Sequence, residues 1–352
     1  MFLVSALFSY LTIPIFYKKG LTGESLETTN TKESKTSQNN TFSYNILLLG
    51  YGGAGHDGGS LSDVIMVANI NTQEKTLALI SVPRDLWVEI PIRSDISESY
   101  KINAAFAIGG DDVKYPLKEP KYKGETGGGE MAKIVVGKVV GMPIHYFLAV
   151  DFGNFERIID VLNGVDVSVE VTFDDYFYPI KGAENLTCGK SAAEIAKLHE
   201  LYSDTELHHQ FECRYEHIHF DKGTTHMDGE TALKFVRSRA SSQHGGDFAR
   251  SQRQKAVLLG VKDKLLTLGA IKKSDELFDL FKGMVKSDLN SNLVSNLEES
   301  MGNVRSYEVK FVSLTEENVL VASKSLNGQF ILIPKEGEGI WAKVHSFIQE
   351  QI

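Results

Sequence analysis

Apolar and polar positions divide this chain into two regimes. Residues 2–17, FLVSALFSYLTIPIFY, run without a charge and stop at Lys18 and Lys19. Residues 21–41 are rich in Ser, Thr, Asn, Lys and Glu, with almost nothing to bury. The first stretch is somewhat short of the roughly 20 residues that span a bilayer. It reads as a membrane anchor or a signal-peptide core, and the anchor is favoured because no small-residue cleavage pattern precedes Gly20. The second reads as a flexible tether. From Tyr44 onward, short apolar runs alternate with helical spacing. NILLLG at 45–50 predicts a buried strand, followed by strands over 63–68 and 76–82. Residues 100–110 predict a small-residue helix or turn, and 111–126, rich in Lys, Pro and Gly, an exposed loop. A helix is expected over 127–141, a strand over 144–150, and a helix from Asp151 through Leu162. The Asn163-Gly164 turn leads into a strand over 165–171. FILIP at 330–334 is a late strand, whereas 172–225 shows no clear period. The alternation predicts an α/β sheet, with an anchor at 1–19, a linker at 20–43 and a folded domain at 44–352.

The helix that carries most information opens at Asp247, an N-cap candidate, and closes at Gly269. Its apolar stripe is Val257, Leu258, Val261, Leu265 and Leu268. Traced toward the N-terminus, that stripe lands on Gln254, Arg253 and Arg250, so the core-facing side begins with arginines. An unpaired charge out of water is costly. Two partners fit: Asp or Glu side chains in internal salt bridges, or an oxyanion, phosphate foremost, which guanidinium forks bind bidentately. Arg237 and Arg239 stand just upstream.

This cluster is local, because the net charge is -9. An acidic chain lacks the basic face of a nucleic-acid binder. Cys188 and Cys213 have no zinc-site spacing; they form either one bridge outside the cytoplasm or two reduced thiols. His208, His209, His217, His219 and His226 likewise match no zinc motif and read as polar surface. The glycine-rich YGGAGHDGGS at 51–60 is neither a Walker A nor a dinucleotide fingerprint. It serves either a close approach to phosphate or a hairpin connection. Asp63 and the pair Arg84-Asp85 stand at strand edges beside it, where sheet proteins place their chemistry. Lys101 and Asn103 follow.

Five segments in order resemble the LytR–CpsA–Psr family of cell-envelope proteins: LSDVIMV at 61–67, SVPRDL at 81–86, KINAAFAIGG at 101–110, DFGNFERIIDVLNGVDV at 151–167, and MDGETALKFVRSR with DFARSQRQ across 227–254. The resemblance implies a three-layer α/β/α domain, with a central mixed sheet and a hydrophobic lipid-binding tunnel, held outside the cytoplasm by a single N-terminal anchor. It implies Mg2+-dependent transfer of a glycopolymer from a polyprenyl-pyrophosphate carrier onto peptidoglycan, through a phosphodiester. By position, Asp63 is the magnesium-side carboxylate. Arg84, Arg237, Arg239, Arg250 and Gln254 bind pyrophosphate, with Lys101, Asn103, Arg253, Asp247 and Asp85 in or beside the pocket. Asp85 and Asp247 are the candidate general bases. Two positions depart from the pattern: Gly52 where many members carry aspartate, and Leu61 where many carry a basic residue. His56 and Asp57 are the nearby candidates to replace the missing carboxylate. Two other activities are compatible with these residues, non-catalytic binding of polyprenyl phosphate and pyrophosphate hydrolysis.

Overall fold

The computed structural model describes residues 43–56, 58–267, 281, 283–289 and 306–352, apart from the side chains of residues 204, 205, 247 and 266. The expected anchor, nearly all of the tether, Asp57, Leu268 and Gly269 lie outside the described residues. Among those described, no helix is long and apolar enough to cross a membrane.

Six strands form the central sheet: β1 (Ser43–Tyr51), β2 (Ser62–Asn71), β3 (Thr76–Ser81), β6 (Tyr146–Asp151), β11 (Lys286–Ser287) and β12 (Glu308–Ser313). Their order is β11-β6-β1-β2-β3-β12. β1 runs parallel to β6 and antiparallel to β2, and β3 runs parallel to β12, so the sheet is mixed. Successive strand residues point to opposite faces. In β1, Leu47 and Leu49 pack toward α1 (Ala104–Gly110), α2 (Gly127–Val140) and α8 (Ala342–Gln351). Ile46 and Leu48 pack on the other face, with Leu258 of α7 (Gly246–Thr267). An unbroken apolar run is what a strand covered on both faces requires. The result is the expected three-layer arrangement.

The remaining elements sit at the margins. β4 (Trp87–Arg93) and β5 (Ile96–Lys101) form a hairpin, as do β13 (Leu320–Lys324) and β14 (Phe330–Pro334). The strand expected over 165–171 is found as β7 (Val165–Val169), paired with β10 (Gly223–Met227) outside the main sheet. The unreadable region folds as β8 (Phe173–Pro179) and β9 (Tyr215–Phe220), with α4 (Ala192–Leu201) and α5 (Asp204–His208) between them. α4 buries no residue, so packing contributes little to holding it. Cys188 and Cys213 are bridged across this segment, which settles the open question of their pairing. Closing a loop of that size contributes about 3 kcal/mol. α3 (Phe152–Val161), α6 (Gly229–Arg237) and α7 cover this side with a second core of aliphatic and phenyl side chains.

One expectation needs correction. Residues 111–126 are not simply an exposed loop, because Lys118 is 2% exposed and Tyr122 is buried. The Lys118 ammonium donates to the carbonyls of Ile108 (2.8 Å) and Gly109 (2.6 Å) and pairs with Asp112 (3.1 Å). A cation at the carbonyl end of α1 satisfies groups that the helix leaves unpaired.

Gly129, in the first turn of α2, faces Phe147 of β6 so closely that a Cβ would overlap the ring. Gly129→Ala is expected to lower stability by about 1–3 kcal/mol, the usual cost of overpacking. Gly110→Ala, where a Cβ meets nothing within 4 Å, is expected to stay within about 0.5 kcal/mol of the parent. Urea unfolding of both variants checks the difference.

Candidate anion-binding site

The site is built where α6 ends. Asp228 caps that helix by accepting from the Thr231 amide (2.9 Å), and its apolar face of Ala232, Leu233, Phe235 and Val236 is buried. Gly229 lets α6 lie against the Glu156 carbonyl of α3, where any Cβ would clash. Arg237 is the last residue of α6. Its guanidinium lies over the Phe152 ring at 4.6 Å, faces Tyr178 at 5.6 Å and donates to the tyrosine hydroxyl at 3.3 Å. Stacking on two rings fixes the guanidinium plane.

Beyond Arg237 the chain turns sharply, and two charged side chains pin the turn. Asp175 of β8, only 1% exposed, accepts from the Ser238 hydroxyl (2.7 Å) and from the amides of Arg239 and Ala240 (3.1 Å each) through one oxygen. Its other oxygen accepts from the Phe177 amide at 2.9 Å. From the opposite side Arg253 of α7, 2% exposed, donates to the carbonyls of Ser238 and, at 2.8 Å, His244. Its guanidinium lies 4.8 Å from the Phe173 ring centre. Burial pushes the Arg253 pKa down to about 10, and Asp175 opposes that shift.

These restraints aim Arg237 and Arg239 into a cavity of about 250 Å³, which Asp63, Arg84, Arg250 and Gln254 also line. Phe152, Tyr178, Val64 and Val236 supply its apolar wall. Asp63 enters from β2 and Arg84 from the turn after β3. The Arg84 guanidinium pairs with Asp63 and lies 3.5 Å from Asp85, whose other oxygen accepts from the Lys101 ammonium at 2.6 Å. Asn103 joins this row through its backbone: its amide donates to the Arg84 carbonyl (3.3 Å), and its carbonyl accepts from the Ser62 amide (3.0 Å).

Six of the expected residues therefore meet in one cavity: Asp63, Arg84, Arg237, Arg239, Arg250 and Gln254. Asp85, Lys101 and Asn103 stand behind Arg84, and Arg253 faces away, into the turn. The side chain of Asp247 lies outside the described residues. The buried face of α7 does begin with arginines. Both terminal nitrogens of Arg253 donate to carbonyl oxygens rather than carboxylates, while its buried Nε has no hydrogen-bond partner among the described residues. Arg250 and Gln254 face the cavity.

The glycine-rich loop does not line this cavity. It is the hairpin connection between β1 and β2, closed by the Gly53 amide donating to the Gly59 carbonyl at 2.8 Å. Gly53 has φ +82°, and its Cα lies so close to Asp151 that a Cβ would come within 2.9 Å. His56 stands edge-on to Phe152 at 5.5 Å. Burial first, then the positive charges of Arg237 and Lys181, holds its pKa below the usual histidine value. His217 and His219 both meet Asp174 at 2.8 Å on the β8–β9 hairpin. Among the described residues no group of three or more His, Cys, Asp or Glu is placed to hold a metal ion.

Three contributors escaped the sequence reading: Asp175, Tyr178 and Phe152. Asp175 and Tyr178 belong to FDDYFYP, where Phe173 and Asp175 share the buried face of β8. The segment shows no clear period in the sequence, and nothing local marks an aspartate as the inward residue. Adjoining the cavity is an apolar seam of about 40 Å³, lined by Leu48, Met66, Val150, Phe155 and Leu233. It shares Val64, Phe152, Val236 and Gln254 with the arginine cavity. The seam is far smaller than the lipid tunnel that the resemblance implies.

The sequence model of the LytR_cpsA_psr family matches residues 13–337. Among curated relatives, a polyisoprenyl-teichoic acid–peptidoglycan teichoic acid transferase, TagU of Bacillus cereus, is 26% identical over 273 residues, 78% of this chain and 68% of that protein. TagV of Bacillus subtilis, described by the same activity, is 26% identical over 254 residues, 72% of this chain and 51% of that protein. The matched stretch thus spans between about two thirds and half of these relatives. The crystal structure of B. subtilis TagV superposes with a TM-score of 0.56 at 23% identity, covering 88% of this chain and 96% of that one. A structure of TagT bound to LIIa-WTA superposes with a TM-score of 0.53 at 23% identity, covering 88% and 89%. These likenesses establish a shared fold. With the family match extending over most of its length, the chain belongs to the LytR–CpsA–Psr family.

Proposed function

We propose that this chain is a membrane-tethered extracytoplasmic transferase that moves a glycopolymer from a polyprenyl-pyrophosphate carrier onto peptidoglycan. One observation carries the reading: four guanidinium groups line a single cavity that shares a wall with an apolar seam. A lipid pyrophosphate has that same division, a highly anionic head on an apolar tail. The transferase names of the TagU and TagV relatives support the same substrate class, and the Cys188–Cys213 bridge suits an oxidising compartment.

In this mechanism Arg84, Arg237, Arg239 and Arg250 hold the pyrophosphate oxygens, and Gln254 adds a hydrogen bond at the cavity floor. An acceptor sugar hydroxyl attacks the phosphorus that bears the glycopolymer. The new P–O bond forms as the bridging P–O bond to the carrier breaks, so polyprenyl phosphate leaves with the bonding pair. Charge builds on the bridging and equatorial oxygens, and fixed guanidinium groups stabilise it without reorganising. The hydroxyl proton needs a base. Asp175 is committed to the turn, so among the described residues Asp85, now paired with Lys101, would take that proton once Lys101 turns to the phosphate, while Asp63 stays on the metal side. The prenyl tail enters along the seam, which must widen by movement of side chains such as Phe155 and Leu233.

Magnesium belongs to the general chemistry of the family. A magnesium ion accepts one protein carboxylate together with substrate phosphate oxygens and water. Asp63 is the residue that would hold it, and the ion would then neutralise phosphate charge. Arg84 must release its present hold on Asp63 for that. The heavy commitment of Asp85 and Asp175 also favours a second reading, a non-catalytic binder of polyprenyl phosphates.

The full chain in detergent, given a lipid-pyrophosphate-linked saccharide, peptidoglycan and magnesium, is expected to attach the saccharide to the wall polymer. Arg237→Ala is expected to lower kcat/KM by about 10²–10³. Lipid that co-purifies with no turnover in the parent protein contradicts transfer and leaves the binder. Release of phosphate-linked product without any acceptor identifies hydrolysis instead.

Asp175→Asn leaves the turn with one charge fewer and an amide where an acceptor is needed. We expect it to weaken inorganic pyrophosphate binding about tenfold by calorimetry. It should also cost about 2–3 kcal/mol in urea unfolding, since a buried charge-assisted network is broken.

His56 gives a pH test of the same field. Its lowered pKa means that folding favours the neutral ring. That stabilisation is therefore complete above the ordinary histidine pKa and is lost as the pH falls through the lowered value. In Arg237→Ala, or in the parent protein with pyrophosphate bound, the His56 pKa measured by NMR is expected to rise. A pKa unmoved by both changes would show that the loop does not sense the cavity.

A further inference from the structure

The chain contains two tryptophans, and both line the same cavity. It measures about 650 Å³, lies between β4, α2 and the start of α8, and shares no lining residue with the arginine cavity. Trp87 is the first residue of β4 and Trp341 the N-cap of α8. Along β4 the side chains alternate: Val88 and Ile90 are buried, while Trp87 and Glu89 share the opposite face. Glu338 and Lys138 are exposed at the rim, and the His345 ring is held by a hydrogen bond of 2.9 Å between its Nε2 and the Lys138 carbonyl. Gly141, which closes α2 with φ +74°, leaves the space that the His345 ring occupies.

We infer that this cleft binds a saccharide. Half-buried indoles offer flat apolar faces to the C–H side of a sugar ring, and each keeps a polar N–H. Glu89 and Glu338 accept hydrogen bonds from ring hydroxyls, and Lys138 donates them. The volume is within the range of small-molecule clefts, about 300–1,000 Å³. A lipid tail would leave these carboxylates without partners, and a polyanion would be repelled by them. The cleft also adjoins the arginine site. Trp87 pairs across the hairpin with Lys101, and Lys101 holds Asp85 behind Arg84. Directly opposed residues of an antiparallel pair have neighbouring side chains. A glycan lying on Trp87 is therefore separated from the phosphate-binding row by one side chain. Its role as a glycan of the transfer reaction rests on the proposed function; the binding itself does not.

The test uses tryptophan fluorescence of the full chain in detergent. With only Trp87 and Trp341 in the chain, all of this emission arises in the cleft. The probes are a β-1,4-linked N-acetylglucosamine oligomer, which resembles a wall strand, a neutral hexose oligomer, which resembles a carried polymer, and poly(glycerol phosphate), which has no sugar ring. A saturable change with either oligosaccharide supports the inference and names the source. Glu338→Gln is expected to weaken that response at least fivefold. Trp341→Phe, which keeps an aromatic ring at this half-buried helix start, is expected to weaken it while Trp87 still reports. The response is expected to persist in Arg237→Ala, so it stands even if the transfer reading fails. No response to either oligosaccharide, an equal response to poly(glycerol phosphate), or loss of the response in Arg237→Ala overturns the inference.

Discussion

Everything at the arginine cavity depends on one turn and on the two opposite charges that flank it. Asp175 collects a hydroxyl and three amides, while Arg253 collects two carbonyls, and the peptide between them reverses direction within a few residues. Neither side chain is exposed, so each is useful only while the other elements hold their backbone partners in place. Burying such groups is costly unless they are fully hydrogen-bonded. Once that cost is met, the geometry is stiff. Arg237 and Arg239 then project from a backbone held by these hydrogen bonds, and a cation fixed in advance stabilises an anion better than one that must be ordered on binding.

The sheet supplies the other half of the site. β1 and β2 are buried on both faces, so the ends of β2 and β3 are rigid and can present Asp63 and Arg84 from a fixed platform. The row from Asp63 through Arg84 and Asp85 to Lys101 alternates in sign. Two carboxylates match two cations, and Arg84 lies between Asp63 and Asp85. The apolar seam arises from the same construction: Leu48 and Met66 of the sheet face Phe155 and Leu233 of the covering helices across a narrow gap. A charged head site and an apolar groove thus meet at Val64, Phe152, Val236 and Gln254, where the sheet layer meets the helical layer.

Much of this was legible in the chain because it follows from local rules. The apolar run of β1, the Gly141 end of α2, the helix from Asp151 that is α3, and FILIP all declared themselves. So did the arginines at the head of the α7 stripe, because a charged residue in phase with a buried stripe demands an explanation. What escaped depends on partners distant in sequence. Asp175 looks like any acidic residue in an aromatic strand until the turn 63 residues later supplies its donors. Lys118 reads as loop surface until the end of α1 arrives above it. Arg253 and Arg250 are indistinguishable by spacing, yet one faces carbonyls and the other the cavity. Of the two roles open to the glycine-rich loop, the structure shows the hairpin connection, packed on Asp151.

The central claim is that the arginine cavity and the apolar seam together form one site for a lipid pyrophosphate. Calorimetric titration of the full chain with geranylgeranyl pyrophosphate, compared with inorganic pyrophosphate, addresses both halves at once. The claim predicts that the prenylated ligand binds at least about tenfold more tightly, since burying several apolar carbons is worth well over 1.4 kcal/mol. Equal affinity for the two ligands, or no binding of either, would contradict it.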